Sequence, residues 1–369
     1  MKAIALIPGT TNVRLLDRPE PSITVADEVK LQVLQVGICG TDRDEAAGGR
    51  AVAPPGQSDL VIGHELLGRV VETGAAVKAV QVGDHALFSV RRACGQCPNC
   101  AIERSDMCST GGYADRGIRL RDGYQAEFVV DSEAYVVRVP PEIASLGVLT
   151  EPMSIAEKAI DEAVLIQIAR LPGALDPATW LNGKNVLVAG LGPIGLLAAV
   201  ALRLRGAIVH GLDVVEASTI RPRILEQLGG AYIDGRQVNP RALGEHFPEI
   251  ELIFEATGVA QLEFELLSAL GANGVYVLTG IAGGDRPITI DGSALMKALV
   301  LRNQVTVGSV NASHKHFALA VTDLASAKDT WGDTLDALIT HRVPFGEFAS
   351  ALTTHPADEI KTVIEWSTI

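Results

Sequence analysis

Asn185-Val186-Leu187-Val188-Ala189-Gly190-Leu191-Gly192-Pro193-Ile194-Gly195 joins a short apolar strand to a glycine turn and to the start of a helix, Ile194 to Arg205. In that setting the glycines have separate tasks. Gly190 makes the tight turn, Gly192 lets backbone approach a pyrophosphate, and Gly195 lets helix and strand pack closely. Phosphate would rest on the helix N-terminus, where free N–H groups and the helix dipole favour negative charge. Leu191, Pro193 and Ile194 belong to the same binding turn. Glycine turns between strand and helix are common, so the motif alone is a weak signal. Asp213 strengthens it, because it ends the next strand about 20 residues on, where the acid that holds the ribose of NAD is expected. A carboxylate there accepts hydrogen bonds from ribose hydroxyls and repels a 2′-phosphate. The residues that follow, Val214-Val215-Glu216, offer no positive charge. NAD is therefore favoured, with NADP the alternative.

Beyond the motif the pattern alternates. Ala207 to Leu212 reads as a strand, Ile220 to Leu228 as a helix, Leu252 to Glu255 as a strand, Glu263 to Leu270 as a helix and Gly274 to Leu278 as a strand. Such alternation predicts a doubly wound parallel sheet with crossover helices, an α/β fold. Ser154 to Gln167, ahead of the motif, has apolar residues at helical spacing and a serine at its start to cap it. The first 140 residues or so are different in kind. Short β-rich runs (Lys30 to Val36, Leu67 to Glu72, Ala86 to Val90, Ala126 to Val130) are punctuated by Gly, Pro and Asp, which predicts an irregular β unit. From His314 on come two helical stretches and a strand-like Pro344 to Phe348. A chain of 369 residues exceeds the roughly 250–300 at which one core stops growing, so two domains are expected.

Apolar residues form 47 % of the chain and charged residues 20 %, enough apolar surface to offset chain entropy. The net charge of -13 repels phosphate backbones and anionic lipid, which argues against nucleic-acid and membrane partners. No apolar run approaches the ~20 residues that span a bilayer, and Pro8 breaks the N-terminal stretch too early for a signal peptide. A cytoplasmic location is expected.

Four of the five cysteines fall in Cys94-x2-Cys97-x2-Cys100-x7-Cys108. Four thiolates from one loop close a tetrahedral zinc shell with no open position, which is a structural site. A second site is suggested by Cys39 in Gly37-Ile38-Cys39-Gly40-Thr41-Asp42 and by Gly63-His64-Glu65. One thiolate, one imidazole and a carboxylate are what an open, catalytic zinc uses. Each residue alone would more often be a core residue; the pairing of both glycine-flanked motifs ahead of the cysteine lobe favours the ligand reading.

These motifs stand in the order and spacing of the zinc-containing medium-chain dehydrogenases, which the sequence resembles over nearly its whole length. Within that family it is similar to the glucose dehydrogenases best known from archaea, on Gly37-Ile38-Cys39-Gly40-Thr41-Asp42-Arg43, Arg91-Arg92-Ala93-Cys94-Gly95, Glu151-Pro152-Met153-Ser154, Gly308-Ser309-Val310-Asn311 and Glu359-Ile360-Lys361. The resemblance implies a GroES-like catalytic domain of residues 1–155 and 311–369, carrying a structural zinc lobe at 91–110, and a Rossmann domain at 156–310. It implies two zinc ions per chain, with Cys39, His64, Glu65 and Glu151 as the catalytic set, Glu65 or Glu151 exchanging with water or acting on the sugar. Thr41, Asp115 and Asn311 would contact sugar hydroxyls, and Thr41 would relay the proton. Thr279, Gly280, Ile281, Ser309, Val310, Asn311 and Lys361 would lie along the nicotinamide half of the cofactor. Relatives commonly have glutamate at Asp115, at least some have a sugar-binding aspartate at Ile155, and several have an arginine pair at Asp213-Val214. The implied activity is oxidation of an aldose, glucose-like, at C1 with hydride transfer to NAD. The alternatives are a dehydrogenase of another alcohol or polyol, and a noncatalytic nucleotide-binding protein of the same fold. The resemblance also implies a homo-oligomer, dimer or tetramer, in which the strand Gly274 to Leu278 could contribute to a sheet that continues across subunits.

Overall fold

In the computed structural model, residues 1–173, 175–246, 249–284 and 287–369 are described, the side chains of 245 and 246 excepted. Residues Met1–Ser154 and Asn311–Ile369 form one compact unit and Ile155–Val310 a second. The first is β-rich. Its longest strand, β1 (Glu28–Ile38), pairs antiparallel with β2 (Glu65–Thr73) on one side. It also pairs with β3 (Phe128–Ser132) along its N-terminal half. A short helix α1 (Gly40–Ala46), not expected from the sequence, follows β1 at once. Helix α2 (Thr150–Arg170) is longer at both ends than predicted. Ser154 does not cap it: the serine lies inside the first turns and its hydroxyl donates to the Glu151 carbonyl at 2.6 Å.

The second unit is built on the strand quoted at the outset, β4 (Asn185–Ala189), which passes through the glycine turn into α3 (Pro193–Leu204). With β5 (Ile208–Asp213), β6 (Ala231–Asp234), β7 (Ile250–Glu255), β8 (Leu270–Leu278) and β9 (Val305–Gly308) it forms a parallel sheet ordered β6-β5-β4-β7-β8-β9. Val186, Val188, Leu252, Ile253, Phe254, Val275 and Val277 are all buried. Strands covered on both faces read as continuous apolar runs rather than alternating ones, which is why the sequence disclosed them. The predicted helix over Glu263 to Leu270 is shorter: it ends at Leu266, and Leu270 already begins β8. A short apolar run has no period to tell helix from strand. Strand β8 also lies between β7 and β9. Among the described residues the open edge of that sheet belongs to β9, unrecognised in the sequence, as was the preceding helix α4 (Gly292–Leu301).

The chain then returns to the first unit through the helix His314–Trp331. The strand expected at Pro344 to Phe348 stands earlier, as β10 (Ile339–Pro344), and Phe345–Glu347 is a tight helical turn. Proline is tolerated at the end of a strand because it cannot donate to the ladder. A last strand, β11 (Lys361–Glu365), lies between β10 and β1. Its register sets Thr362 opposite Ile38, while that of β2 sets Glu65 opposite Gly37. Sequence neighbours of Cys39, of His64 and of Lys361 are thus brought to one end of one sheet. No helix among the described residues is long and apolar enough to cross a membrane.

Candidate active site

Cys39 is the N-cap of α1, and the Asp42 carboxylate reaches back to accept its N–H at 2.8 Å. His64 and Glu65 enter from the start of β2. One ligand atom from each of Cys39, His64 and Glu65 lies within 4.8 Å of the others. Close approach is possible because Gly37 has no side chain: a Cβ there would meet Glu65 Oε2 at 1.9 Å. Asp42 has a second task, one the sequence did not disclose. Its Oδ1 stands 3.5 Å from His64 Nδ1, which orients the ring and leaves Nε2 as the nitrogen for a metal. Burial would hold the imidazole neutral, yet Asp42 and the Cys39 sulfur raise its pKa well above the usual value. The donor set suits zinc, with thiolate, imidazole and carboxylate all present.

Lys361 is buried beneath this cluster. Its ammonium donates to Glu65 Oε1 at 2.6 Å, to Oε2 at 2.7 Å and to the Ile38 carbonyl at 3.2 Å. These bonds make Lys361 the counter-charge of Glu65. Glu151 is not a member of the close group. It is buried in the first turn of α2, and burial, with Glu65 and Asp42 adding to it against His64 and Lys361, pushes its carboxyl up to about 7.

Thr41 lies half-buried in the first turn of α1, where Cys39 rather than the threonine is the cap. Asp115 is buried and held by Arg91, whose Nε and Nη2 donate to its two oxygens at 2.8 and 3.0 Å. The Asn311 amide nitrogen donates to the same carboxylate at 3.3 Å, and the Asn311 oxygen accepts from the Ala312 N–H at 2.7 Å. The structure thus joins Asp115 and Asn311, far apart in sequence, directly, and braces the carboxylate with Arg91, to which the sequence had given no role. Arg91 also donates to the Asp106 carbonyl, tying the pair to the cysteine lobe.

In that lobe the sulfurs of Cys94, Cys97, Cys100 and Cys108 lie within 4.8 Å of one another. Cys94 and Cys100 are 3.7 Å apart, Cys97 and Cys108 3.9 Å. A tetrahedral zinc with Zn–S of ~2.3 Å holds sulfurs ~3.8 Å apart, so the cage fits the ion and is too open for disulfides. Backbone N–H groups of Cys100 and Ser109 hold the Cys97 thiol down to about 5, while burial pushes the Cys100 thiol up to about 12.

The glycine turn of the second unit is built as its sequence predicts. Gly190 has φ of +87°, and a Cβ on Gly195 would lie 1.8 Å from the Gly190 carbonyl oxygen. A Cβ on Gly192, the N-cap of α3, would meet no atom within 4 Å, so open space lies where a pyrophosphate would approach. Leu191 is buried, with Pro193 and Ile194 partly so. Asp213 ends β5 and its carboxylate accepts the N–H groups of Leu191 and Val214 at 2.9 and 2.7 Å. Arg221 Nη1 stands 3.6 Å from Asp213 Oδ2, while Arg236 is engaged by Asp234 at 2.7 Å and by Glu216. Thr279 and Gly280 follow β8, and the Ser309 N–H donates to the Leu278 carbonyl at 2.9 Å, placing Ser309 beside them. Ile281 and Val310 are exposed, and the Val310 carbonyl accepts from Lys158 at 2.8 Å.

Two family descriptions match the chain: an alcohol dehydrogenase GroES-like domain over residues 25–141, and a glucose dehydrogenase C-terminus over residues 144–366. Glucose 1-dehydrogenase 2 of Vulcanisaeta moutnovskia is 38 % identical over 367 residues, 99 % of each chain. Glucose 1-dehydrogenase of Thermoproteus tenax is 36 % identical over 370 residues, the whole of each. The solved structure of Haloferax mediterranei glucose dehydrogenase in complex with NADP, Zn and gluconolactone superposes with a TM-score of 0.88 at 32 % identity, covering both chains fully. The β-rich unit thus contains the GroES-like domain, over residues 25–141, and the parallel sheet is the Rossmann-like one. The chain belongs to the medium-chain dehydrogenase/reductase family, in its glucose dehydrogenase branch.

Proposed function

We propose that this protein oxidises an aldose at C1 to the lactone, with one catalytic and one structural zinc per chain and NAD as hydride acceptor. The observation that carries this reading is the convergence of Cys39, His64 and Glu65 on one point, backed by Asp42 and Lys361. The Haloferax relative, solved with zinc and gluconolactone, supports the same chemistry. Zinc would supply Lewis acidity toward a sugar hydroxyl, and NAD would accept the hydride. Cys39, His64 and Glu65 would hold the ion, and Glu151 would exchange with water or bind an adjacent hydroxyl. The Thr41 hydroxyl, able to donate and accept at once, would relay the departing proton. Asn311, held by Asp115, and Asp115 itself would bind the ring hydroxyls; such polar sites reject substrates lacking a hydroxyl far more strongly than apolar pockets judge size. NAD(P) reduction with aldohexoses, aldopentoses and simple alcohols, before and after chelation, tests the proposal. Equal turnover of simple alcohols, or no loss on chelation, would overturn it.

The preference for NAD rests on Asp213. A like charge against a 2′-phosphate costs several kcal/mol. Asp213→Ala is therefore expected to raise the NADP:NAD ratio of kcat/KM by about 30- to 150-fold; an unchanged ratio would remove Asp213 from this role. A homo-oligomer also forms part of the proposal, supported by the open edge of β9 and by Val300 and Leu301 of α4, 74 and 70 % exposed. Light scattering that returns the mass of a single chain would sink it.

A further inference from the structure

Glu255 ends β7 and is fully buried, 0 % exposed. Its Oε1 accepts from the Thr257 N–H and hydroxyl, both at 2.5 Å, and from the Gly258 N–H at 3.0 Å. Its Oε2 accepts the Gly280 N–H at 3.2 Å. Its backbone carbonyl takes the Thr279 N–H at 2.9 Å and the Thr279 hydroxyl at 2.6 Å. One residue therefore satisfies six donors from two loops, the one after β7 and the one after β8. The loops are pressed together where they meet: a Cβ on Gly280 would lie 2.2 Å from the Gly258 nitrogen. In a parallel sheet ligands bind outside the carboxyl ends of the strands, at the point where strand order reverses. Here that reversal falls between β4 and β7, next to both loops.

We propose that Glu255 is a positioning residue for the nicotinamide half of the cofactor: its carboxylate fixes the backbone of 257–258 and of 280, against which that half is bound. This rests on the dinucleotide reading above and adds to it a buried acid that touches no ligand. The physical reason is preorganisation. Backbone N–H groups left without an internal acceptor would turn toward water, and the loops would have to be reordered with each binding event.

Glu255→Gln is the discriminating variant. An amide offers one oxygen, and that oxygen is best used by the three donors now on Oε1. Its NH2 then opposes the Gly280 N–H, which keeps only the Glu255 backbone carbonyl at 3.3 Å, so the second loop alone is loosened. NADH affinity, read by fluorescence titration, is expected to fall about 10- to 100-fold. ADP-ribose, which has the adenosine and pyrophosphate but no nicotinamide, should bind within about twofold of the parent protein. Parallel loss of both ligands would show that the residue only supports the fold, and loss of neither would show that it positions nothing; either result overturns the inference. Should the glutamine variant fail to fold, Thr257→Val removes one donor from the same carboxylate, with the same selective pattern expected at about 3- to 10-fold. Failure of the parent protein to bind NADH at all would instead overturn the dinucleotide reading, and the inference with it.

Discussion

Serine in place of Cys39 is expected to lower aldose-dependent NAD reduction by at least about 1,000-fold and to take the zinc content from two ions per chain to one. The magnitude follows from what a serine cannot do. A hydroxyl stays protonated where a thiolate would bind, so the ion loses its soft ligand and, with it, the charge stabilisation worth several kcal/mol that a Lewis acid supplies. The remaining ion should be the one in the lobe, because Cys94, Cys97, Cys100 and Cys108 form a separate cage. Metal analysis beside activity therefore reads out both sites in one preparation. A serine variant that retains both ions and full turnover would refute the assignment of Cys39. The same measurement on Lys361→Met separates two uses of Glu65. With the ammonium gone, both carboxylate oxygens lose their partner, and Glu65 is left to the metal alone.

Asp131→Asn is the substitution with the largest expected effect on stability. Asp131, on β3, accepts from Arg92 Nη2 at 2.6 Å, from Arg116 Nε at 2.8 Å and from Arg121 Nη2 at 3.2 Å. Arg92 and Arg116 are buried, so the amide variant leaves guanidinium charge uncompensated in the interior. Breaking such a pair costs about 3–5 kcal/mol, read as a fall in Tm of roughly 6–20 °C for a domain of this size. A fall of under a degree would show that the network contributes nothing. Acid should have a similar effect without mutation. Burial alone would raise the Asp131 carboxyl, but Arg116, Arg92 and Arg121 overcome it and hold the pKa at about 2, against the usual 3.8. A group with a lowered folded pKa stabilises the fold above its unfolded value and loses that contribution as pH falls through the folded one. About 2 kcal/mol should therefore disappear between pH 4 and pH 2 in the parent protein, and the asparagine variant should lack that segment of its stability curve.

The fold class was legible where chemistry is written locally. Buried parallel strands announce themselves as apolar runs, and the glycine turn after Ala189 has few other uses between strand and helix. Strand β9 and helix α4 escaped because Val305-Thr306-Val307-Gly308 is brief and half-exposed, and because α4 carries apolar residues such as Met296, Val300 and Leu301 on its exposed side, so no single buried stripe marks it. The grouping of Cys39 with His64 and Glu65 could be suspected from motifs, but not what surrounds them. Asp42 was visible only as part of a motif, and its role depends on the rotation of one helical turn. Lys361 was tied to the cofactor by resemblance alone, and its bond to Glu65, set by the register of β11 against β1, is written in no motif. The bond from Arg91 to Asp115 likewise follows from antiparallel pairing of Arg91 with Asp115, which no spacing rule announces.

Lys361 and Ile38 are hydrogen-bonded across 323 positions of chain, and that separation dictates an order of events during synthesis. Strands β1 and β2 leave the ribosome early and can zip together around Cys39, His64 and Glu65. Strand β11 emerges only after the whole parallel-sheet unit has been translated. A nascent chain paused at Val343 would display every proposed metal ligand, yet one flank of β1 would still be open and Glu65 would have no cation to face. Pairing of Glu65 with Lys361 is in this sense a late event of synthesis, timed by the distance along the message between two strands that end up side by side.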